Sequence, residues 1–250
     1  MIDLRGRTAL VTGGSRGIGR AAARLLAQAG ADVALTYRTR TKAAEAAAAE
    51  VRSAGRRAAV LGGDLADPAA VERIMDAVRR EFGRIDLFVG NAGAWPTEEV
   101  PLRDMDPARW RETMAANLDA IFLSTRAALR LMPPGGRVVL VGSTAGQRGE
   151  ALHTDYAAAK GAMIALVKSL AVECAPEITV NCVAPGWVDT EMSATAFARG
   201  GLERIAATIP LRRVATAEDV AGPILFLCSD LARHVTGEIL NVNGGAVLCG

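Results

Sequence analysis

Short apolar runs recur along the chain, each stopping at small or polar residues and most followed by a stretch with helical periodicity. Thr8-Ala9-Leu10-Val11-Thr12 is the first, a β-prone run that gives way to Gly13–Gly19 before Arg20 to Gln28 reads as helix. Further strands are predicted at Asp32–Thr36, Arg57–Leu61, Ile85–Val89, Arg137–Val141, Ile178–Val183 and Glu238–Val242. Between them, Thr41 to Ala54 is alanine-rich with scattered charges, as a covering helix would be. Asp67-Pro68 begins a helix with a capping carboxylate and a proline in the first turn. Trp110, Met114, Asn117, Ile121 and Leu129 mark a helical stripe, which Pro133-Pro134-Gly135-Gly136 ends, and Ala217 to Cys228 gives a late helix. This alternation predicts an α/β fold, doubly wound, with about seven mainly parallel strands and helices on both faces, spanning 1–250 as one domain. Two stretches break the pattern. Trp95 to Pro107 is an irregular insertion, and Trp187 to Ile209 has interrupted periodicity around Gly200-Gly201, as expected of a mobile cover over a ligand (187–209).

The strand ends carry the chemistry. Gly13-Gly14-Ser15-Arg16-Gly17-Ile18-Gly19 lies between a strand and a helix, where small residues let backbone N–H groups and a helix N-terminus approach a pyrophosphate; a plain tight turn is the other reading. The second strand ends in Thr36-Tyr37-Arg38, without the acidic residue that would hold the ribose 2′-hydroxyl of NAD. With Arg16 nearby, Arg38 favours a 2′-phosphate and hence NADP, although two solvated arginines would look the same in so arginine-rich a chain. Asp64, at the third strand end, could meet an adenine amino group or satisfy its own loop. Asn91-Ala92-Gly93 is a second small-residue turn at the same sheet edge. Asn117 is polar within an apolar stripe, which fits either a buried asparagine tied to backbone or a catalytic group.

Tyr156-Ala157-Ala158-Ala159-Lys160 sets a phenol and an ammonium about one helical turn apart, roughly 6 Å at the backbone. The chain has two tyrosines and three lysines, so this spacing is expected by chance only about 0.02 times.

Composition narrows the partners. At 250 residues, 50% hydrophobic and 22% charged, the chain can bury a large core. The 29 basic and 27 acidic residues give a net charge of +2, with no basic block to suggest nucleic acid or an anionic membrane. No signal-peptide pattern or membrane-length apolar run is present, so a soluble cytoplasmic protein is expected. Cys174, Cys182, Cys228 and Cys249 lack metal-ligand spacing and are expected to be reduced thiols, with no metal site.

Taken together, Thr12-Gly13-Gly14-Ser15-Arg16-Gly17-Ile18-Gly19, Asn91-Ala92-Gly93, Asn117, Ser143, Tyr156-x-x-x-Lys160, Pro185-Gly186 with Thr190, and Asn241-Val242-Asn243-Gly244-Gly245 resemble a classical short-chain dehydrogenase/reductase from Thr8 to the C-terminus. The closest resemblance is to 3-oxoacyl-acyl-carrier-protein reductases, with sugar-alcohol and steroid-type carbonyl reductases as neighbours. Gly90 stands where many members carry asparagine, Gly142 where many carry serine, and the connection Leu131 to Arg137 is rich in proline and glycine where carrier-protein reductases tend to be basic.

The resemblance implies a Rossmann-type fold and hydride transfer between a nicotinamide and a carbonyl carbon. Asn117, Ser143, Tyr156 and Lys160 are the implied catalytic residues: Tyr156 as acid, Lys160 lowering its pKa and orienting the nicotinamide ribose, Ser143 bonding the carbonyl oxygen, and Asn117 holding a water. For the nucleotide it implies Gly13, Ser15, Arg16, Gly17, Ile18 and Gly19; Tyr37, Arg38, Asp64 and Leu65; Asn91, Ala92 and Gly93; and Tyr156, Lys160, Pro185, Gly186, Val188 and Thr190. Trp95, Gln147, His153, Trp187 and Met192 flank these turns and are candidates for the substrate side, with core packing or solvated positions as the alternative. The expected reaction is NADPH-linked reduction of a ketone, with a 3-oxoacyl thioester, carrier-bound or free, the first candidate. Another small alcohol, sugar, steroid or polyketide-type ketone stays open, as does a non-catalytic NADP-binding sensor. A homotetramer is implied, with the two long helices Asp106 to Leu131 and His153 to Glu173 forming one interface.

Overall fold

A computed structural model describes residues 2–198 and 200–249; Met1, Gly250 and, within the predicted cover, Arg199 lie outside the described residues. The seven strands are β1 (Thr8–Val11), β2 (Asp32–Tyr37), β3 (Ala58–Gly62), β4 (Leu87–Gly90), β5 (Arg137–Val141), β6 (Thr179–Pro185) and β7 (Ile239–Val242). They form one sheet in the order β3-β2-β1-β4-β5-β6-β7, and every pairing is parallel. The order reverses between β1 and β4, whose register pairs Val11 with Val89, so their C-terminal ends open a crevice.

The helices that matter to that crevice are α1 (Gly17–Gln28), α2 (Thr41–Ser53), α3 (Pro68–Phe82), α4 (Pro107–Met114), α5 (Ala120–Leu129), α6 (Thr144–Arg148), α7 (Thr154–Glu173), α8 (Ala194–Phe197), α9 (Gly201–Thr208) and α10 (Ala217–Leu227). α3 starts as its sequence requires: the Asp67 side chain accepts from Ala69 N–H at 3.0 Å, and Pro68 opens the first turn. One face of the sheet packs Val11, Val33 and Val139 against alanines of α1 and Ile224 of α10; the other packs Leu10, Phe88 and Leu140 against Ile74, Ile121 and Met163. Both faces are covered, which is why the strands read as continuous apolar runs rather than alternating ones.

Three local features differ from the sequence reading. The stripe from Asp106 to Leu131 is not one regular helix, because a π turn at Ala115–Asp119 separates α4 from α5. The segment after β5 forms the short helix α6, capped by Ser143, whose Oγ accepts from Ala145 N–H at 3.1 Å. The stretch 187–209 contains two helices, α8 and α9, which the interruption at Gly200-Gly201 obscured.

The joint between α6 and α7 is made backbone to backbone. A Cβ on Gly146 would stand 2.5 Å from the Lys160 carbonyl carbon and 2.8 Å from Gly161 N. Neither atom can yield without moving α7. Gly146→Ala is therefore expected to destabilise the protein by about 1–3 kcal/mol, read as a lower denaturation midpoint at unchanged m-value. An unchanged midpoint would contradict this close contact.

Candidate active site

The ends of β1 and β4 are tied together before any ligand is considered. Thr12 Oγ1 accepts from the N–H groups of Asn91 and Ala92 at 2.8 and 2.9 Å, and Asn91 Nδ2 donates to the Thr12 carbonyl at 2.9 Å. Gly13 N–H donates to Thr36 Oγ1 at 3.1 Å, which fastens the turn to β2. Over this base lies a cavity of about 240 Å³ lined by Gly13, Ser15, Arg16, Gly17 and Ile18, by Tyr37 and Arg38, by Asp64 and Leu65, and by Asn91, Ala92, Gly93 and Thr190. Gly19 does not line it. It is buried beneath the turn, where a Cβ would come within 2.4 Å of the Gly13 carbonyl oxygen, so its smallness serves packing and not ligand contact.

The rim carries charge that the sequence only partly disclosed. Arg16 pairs with Glu191 at 3.1 Å, and Arg40, which also lines the cavity, pairs with the same carboxylate. Hydrogen bonding from Arg16, and then from Arg40, holds the Glu191 carboxyl below the usual range. Arg40 was hidden by the abundance of arginine, and nothing in the sequence marked Glu191. Arg38 stands 3.9 Å from Asp64, whose other oxygen accepts from Ala66 N–H at 3.0 Å, so Asp64 satisfies its loop while it borders the cavity. The N-terminus of α1 opens here with no side-chain cap and no acidic residue in its first turn. That donor set, a free helix N-terminus with arginines at the rim, fits a nucleotide diphosphate carrying a further phosphate.

An adjoining cavity of about 130 Å³ shares Ile18, Asn91, Gly93, Thr190 and Met192 with the first and adds Asn117, Ser143, Tyr156, Lys160, Pro185, Gly186 and Val188. β5 delivers Ser143 just past its end, and the opening turn of α7 delivers Tyr156. Lys160 Nζ donates to the Val141 carbonyl at 2.9 Å and stands 5.7 Å from the centre of the Tyr156 ring. Asn117 is fully buried: its Oδ1 accepts from Ala94 N–H at 3.1 Å, and its Nδ2 donates to the carbonyls of Ala94 and Thr113 at 2.9 and 3.0 Å. Both polar atoms of its side chain are thus spent on backbone, even though the residue borders the cavity. Thr113 in turn donates to Asp155 Oδ2 at 2.8 Å, and Arg109 Nε donates to the same oxygen at 3.1 Å, so α4 is pinned to the residue preceding Tyr156.

The expected lowering of the tyrosine pKa by Lys160 is not what this geometry produces. Burial pushes Tyr156 up to about 12; hydrogen bonding with Ser143 opposes the rise, and the Glu150 charge adds to it. Burial likewise pushes Lys160 down to about 8. With the ammonium committed to a carbonyl and several ångströms from the ring, desolvation outweighs the attraction between the pair.

The substrate-side candidates divide. Trp95, Trp187 and Met192 line the Tyr156 cavity. Trp95 meets Tyr156 edge-on at 4.8 Å, and Trp187 packs on Phe197 of α8 at 5.8 Å, an aromatic the sequence reading passed over. His153 does not reach this cavity but stacks on Trp95 at 4.1 Å. Gln147 is turned away, its Nε2 donating to Asn241 Oδ1 at 2.7 Å, because α6 faces the end of β7 at that point.

The chain is similar to known proteins over nearly its whole length. The family described as Enoyl-(Acyl carrier protein) reductase matches residues 13–247. The 3-oxoacyl-[acyl-carrier-protein] reductase FabG of Escherichia coli (strain K12) is 38% identical over 247 residues, covering 98% of each chain. The chain belongs to the short-chain dehydrogenase/reductase family. A family member from Brucella melitensis, described as a glucose/ribitol dehydrogenase, superposes with a TM-score of 0.93 at 33% identity over 99% of each chain. A short-chain dehydrogenase from Burkholderia cenocepacia J2315 in complex with NADP superposes with a TM-score of 0.91 at 38% identity, covering 97% of this chain and 98% of that one. As a short-chain dehydrogenase/reductase, the protein is an oxidoreductase acting on the CH–OH/C=O pair. Among the described residues, no helix is long and apolar enough to cross a membrane, and no group of three or more His, Cys, Asp or Glu could hold a metal ion.

The buried ammonium makes a thermodynamic prediction. A lysine lowered from 10.5 to about 8 carries a charge-burial cost of roughly 3 kcal/mol, while the lost hydrogen bond to Val141 offsets about 1–2 kcal/mol of any gain from removing it. Lys160→Met is therefore expected to raise stability by about 1–2 kcal/mol at pH 7. The unfolded chain binds more protons than the folded one between about 8 and 10.5, so the wild type recovers stability as pH rises through that window and the advantage of the variant shrinks. Denaturant unfolding at pH 7 and pH 10 checks both the sign and the trend.

Proposed function

We propose that the protein is an NADPH-dependent carbonyl reductase with Ser143, Tyr156 and Lys160 as its chemical groups. The observation that carries this reading is that these three side chains line one cavity which shares a wall with the arginine-rimmed nucleotide cradle. Bound NADPH supplies the hydride. The protein's own contribution is to place the carbonyl oxygen between Ser143 Oγ and the Tyr156 hydroxyl, where charge develops during reduction. Tyr156 gives its proton to that oxygen, so the ketone leaves as an alcohol. With burial holding Tyr156 up to about 12, the phenol is protonated across the neutral range and ready for reduction. Lys160, one turn along α7, carries the positive charge that stabilises the phenolate left behind and donates to the nicotinamide ribose. Asn117 acts as a positioning residue, holding the Ala94 loop on the π turn.

A preference for NADP over NAD is supported by Arg16, Arg38 and Arg40 at the cavity rim, with no carboxylate at the end of β2 to receive a ribose 2′-hydroxyl. The 3-oxoacyl thioester is the first candidate substrate, supported by the similarity to FabG. Within the same reading, 187–209 covers the bound substrate, and the protein works as a cytoplasmic homotetramer. A non-catalytic NADP-binding module fits less well, since it has no use for a serine, a tyrosine and a buried ammonium meeting in one cavity.

Tyr156→Phe is expected to retain NADPH affinity within about twofold while turnover falls by about 100-fold or more; retained turnover would remove Tyr156 from the role of acid. In the oxidative direction, where the phenolate is the base, kcat should climb as pH rises above neutrality, since deprotonation lies at about 12. Glu191 competes with a 2′-phosphate for Arg16 and Arg40. Glu191→Gln should accordingly lower the KM for NADPH about two- to fivefold and leave that for NADH unchanged, and an equal change for both cofactors would refute the competition.

A further inference from the structure

A second chamber adjoins the aromatic wall of the Tyr156 cavity. Trp95, Trp187 and Met192 border that cavity and also border this outer chamber of about 390 Å³, whose remaining lining includes Thr97, His153 and Arg204. That volume lies within the range of pockets that hold ligand-sized molecules. The indole of Trp95 borders both spaces: it is edge-on to Tyr156 at 4.8 Å, near-parallel to His153 at 4.1 Å, and 6.1 Å from Trp187.

His153 is the unexplained group in this chamber. Its side chain borders the chamber while the residue is only 6% exposed. Nδ1 lies 3.4 Å from the Ala151 carbonyl, whereas Nε2 is buried and has no hydrogen-bond partner among the described residues. Leaving a buried polar atom unpaired is unfavourable, so such an atom on a residue that lines a cavity is suited to pair with a hydrogen-bonding group of a ligand. The backbone is also forced here. Leu152 adopts φ +65°, a left-handed conformation that bulky residues rarely enter, and its carbonyl is held by Val100 N–H at 3.0 Å. The loop thus fixes His153 at the head of α7, three residues before Tyr156.

We infer that the outer chamber is a substrate subsite for the distal ring of a planar aromatic ketone, and that a hydroxyl or carbonyl on that ring pairs with His153 Nε2. This deepens the reductase reading and rests on it. The ketone carbon beside Tyr156 receives the hydride of NADPH, and its oxygen receives the tyrosine proton; the distal ring undergoes no reaction. Two indoles bordering both spaces favour flat aromatic surface. A short open-chain ketone extends no atom to His153.

The test compares kcat/KM for three ketones: a hydroxytetralone with its phenol on the ring distal to the ketone, the parent tetralone, and the open-chain thioester acetoacetyl-N-acetylcysteamine. The wild type is expected to prefer the hydroxytetralone to the tetralone about three- to tenfold, mainly through KM. In His153→Phe, which keeps a ring against Trp95, that ratio should fall to about one, and His153→Gln should restore part of it. Trp187→Ala should raise KM for both tetralones relative to the thioester. Should His153→Phe not fold, quenching of tryptophan fluorescence in the unaltered protein gives the two tetralone dissociation constants directly, and equal values overturn the subsite. NADPH oxidation with the thioester but not the tetralones overturns the subsite and leaves the reductase reading standing. No NADPH oxidation with any of the three removes both.

Discussion

An ammonium buried with only a carbonyl for company is the constraint on which the site depends. Lys160 Nζ reaches the Val141 carbonyl, at the C-terminal end of β5, from the second turn of α7. For that bond to form, α7 must lie close against the sheet end, and α6, between them, must pass with no side chain at Gly146. The same bond sets the distance between Ser143, which follows β5, and Tyr156, which precedes Lys160 by one turn. Catalytic geometry and helix packing are therefore a single arrangement, and its cost is the low pKa imposed on the lysine.

The parallel sheet supplies the setting. All seven strands point the same way, so every strand end that carries chemistry lies on one edge: the Gly13 turn after β1, the Arg38 and Arg40 segment after β2, Asn91 to Gly93 after β4, Ser143 after β5 and Gly186 after β6. Glu191 adds a connection between layers, because the segment that follows β6 and carries Trp187 and Met192 also reaches the arginines of the nucleotide end. The stretch from Trp187 to Met192 thus borders both cavities.

Much of this was legible in the chain because the strongest signals are local. The strands follow from apolar runs bounded by glycine, the cap of α3 from Asp67-Pro68, and the Tyr156–Lys160 pair from a spacing too rare for chance. What the sequence concealed depends on contacts across the fold. Asn117 looked like a candidate for direct chemistry, yet its two polar atoms hold backbone 23 residues away in Ala94 and one turn back in Thr113. Gln147 sits four residues past Ser143 but on the side of α6 that faces Asn241. The sign of the Tyr156 shift was missed because spacing reveals neighbours and not depth of burial, and depth decided the matter. The π turn left no mark, since one extra residue in a helical turn hardly disturbs an apolar stripe.

Cys182 and Gly142 occupy a single volume. The Cys182 thiol is buried behind the site, donating to the Val183 carbonyl at 3.2 Å, and a Cβ on Gly142 would stand 2.7 Å from its sulfur. A side chain at position 142 would have to displace the thiol, and a smaller residue at position 182 would leave a void in its place. The two positions are therefore coupled: what fits at one depends on the side chain at the other. A substitution made at position 142 alone will report on that contact as well as on the chemistry.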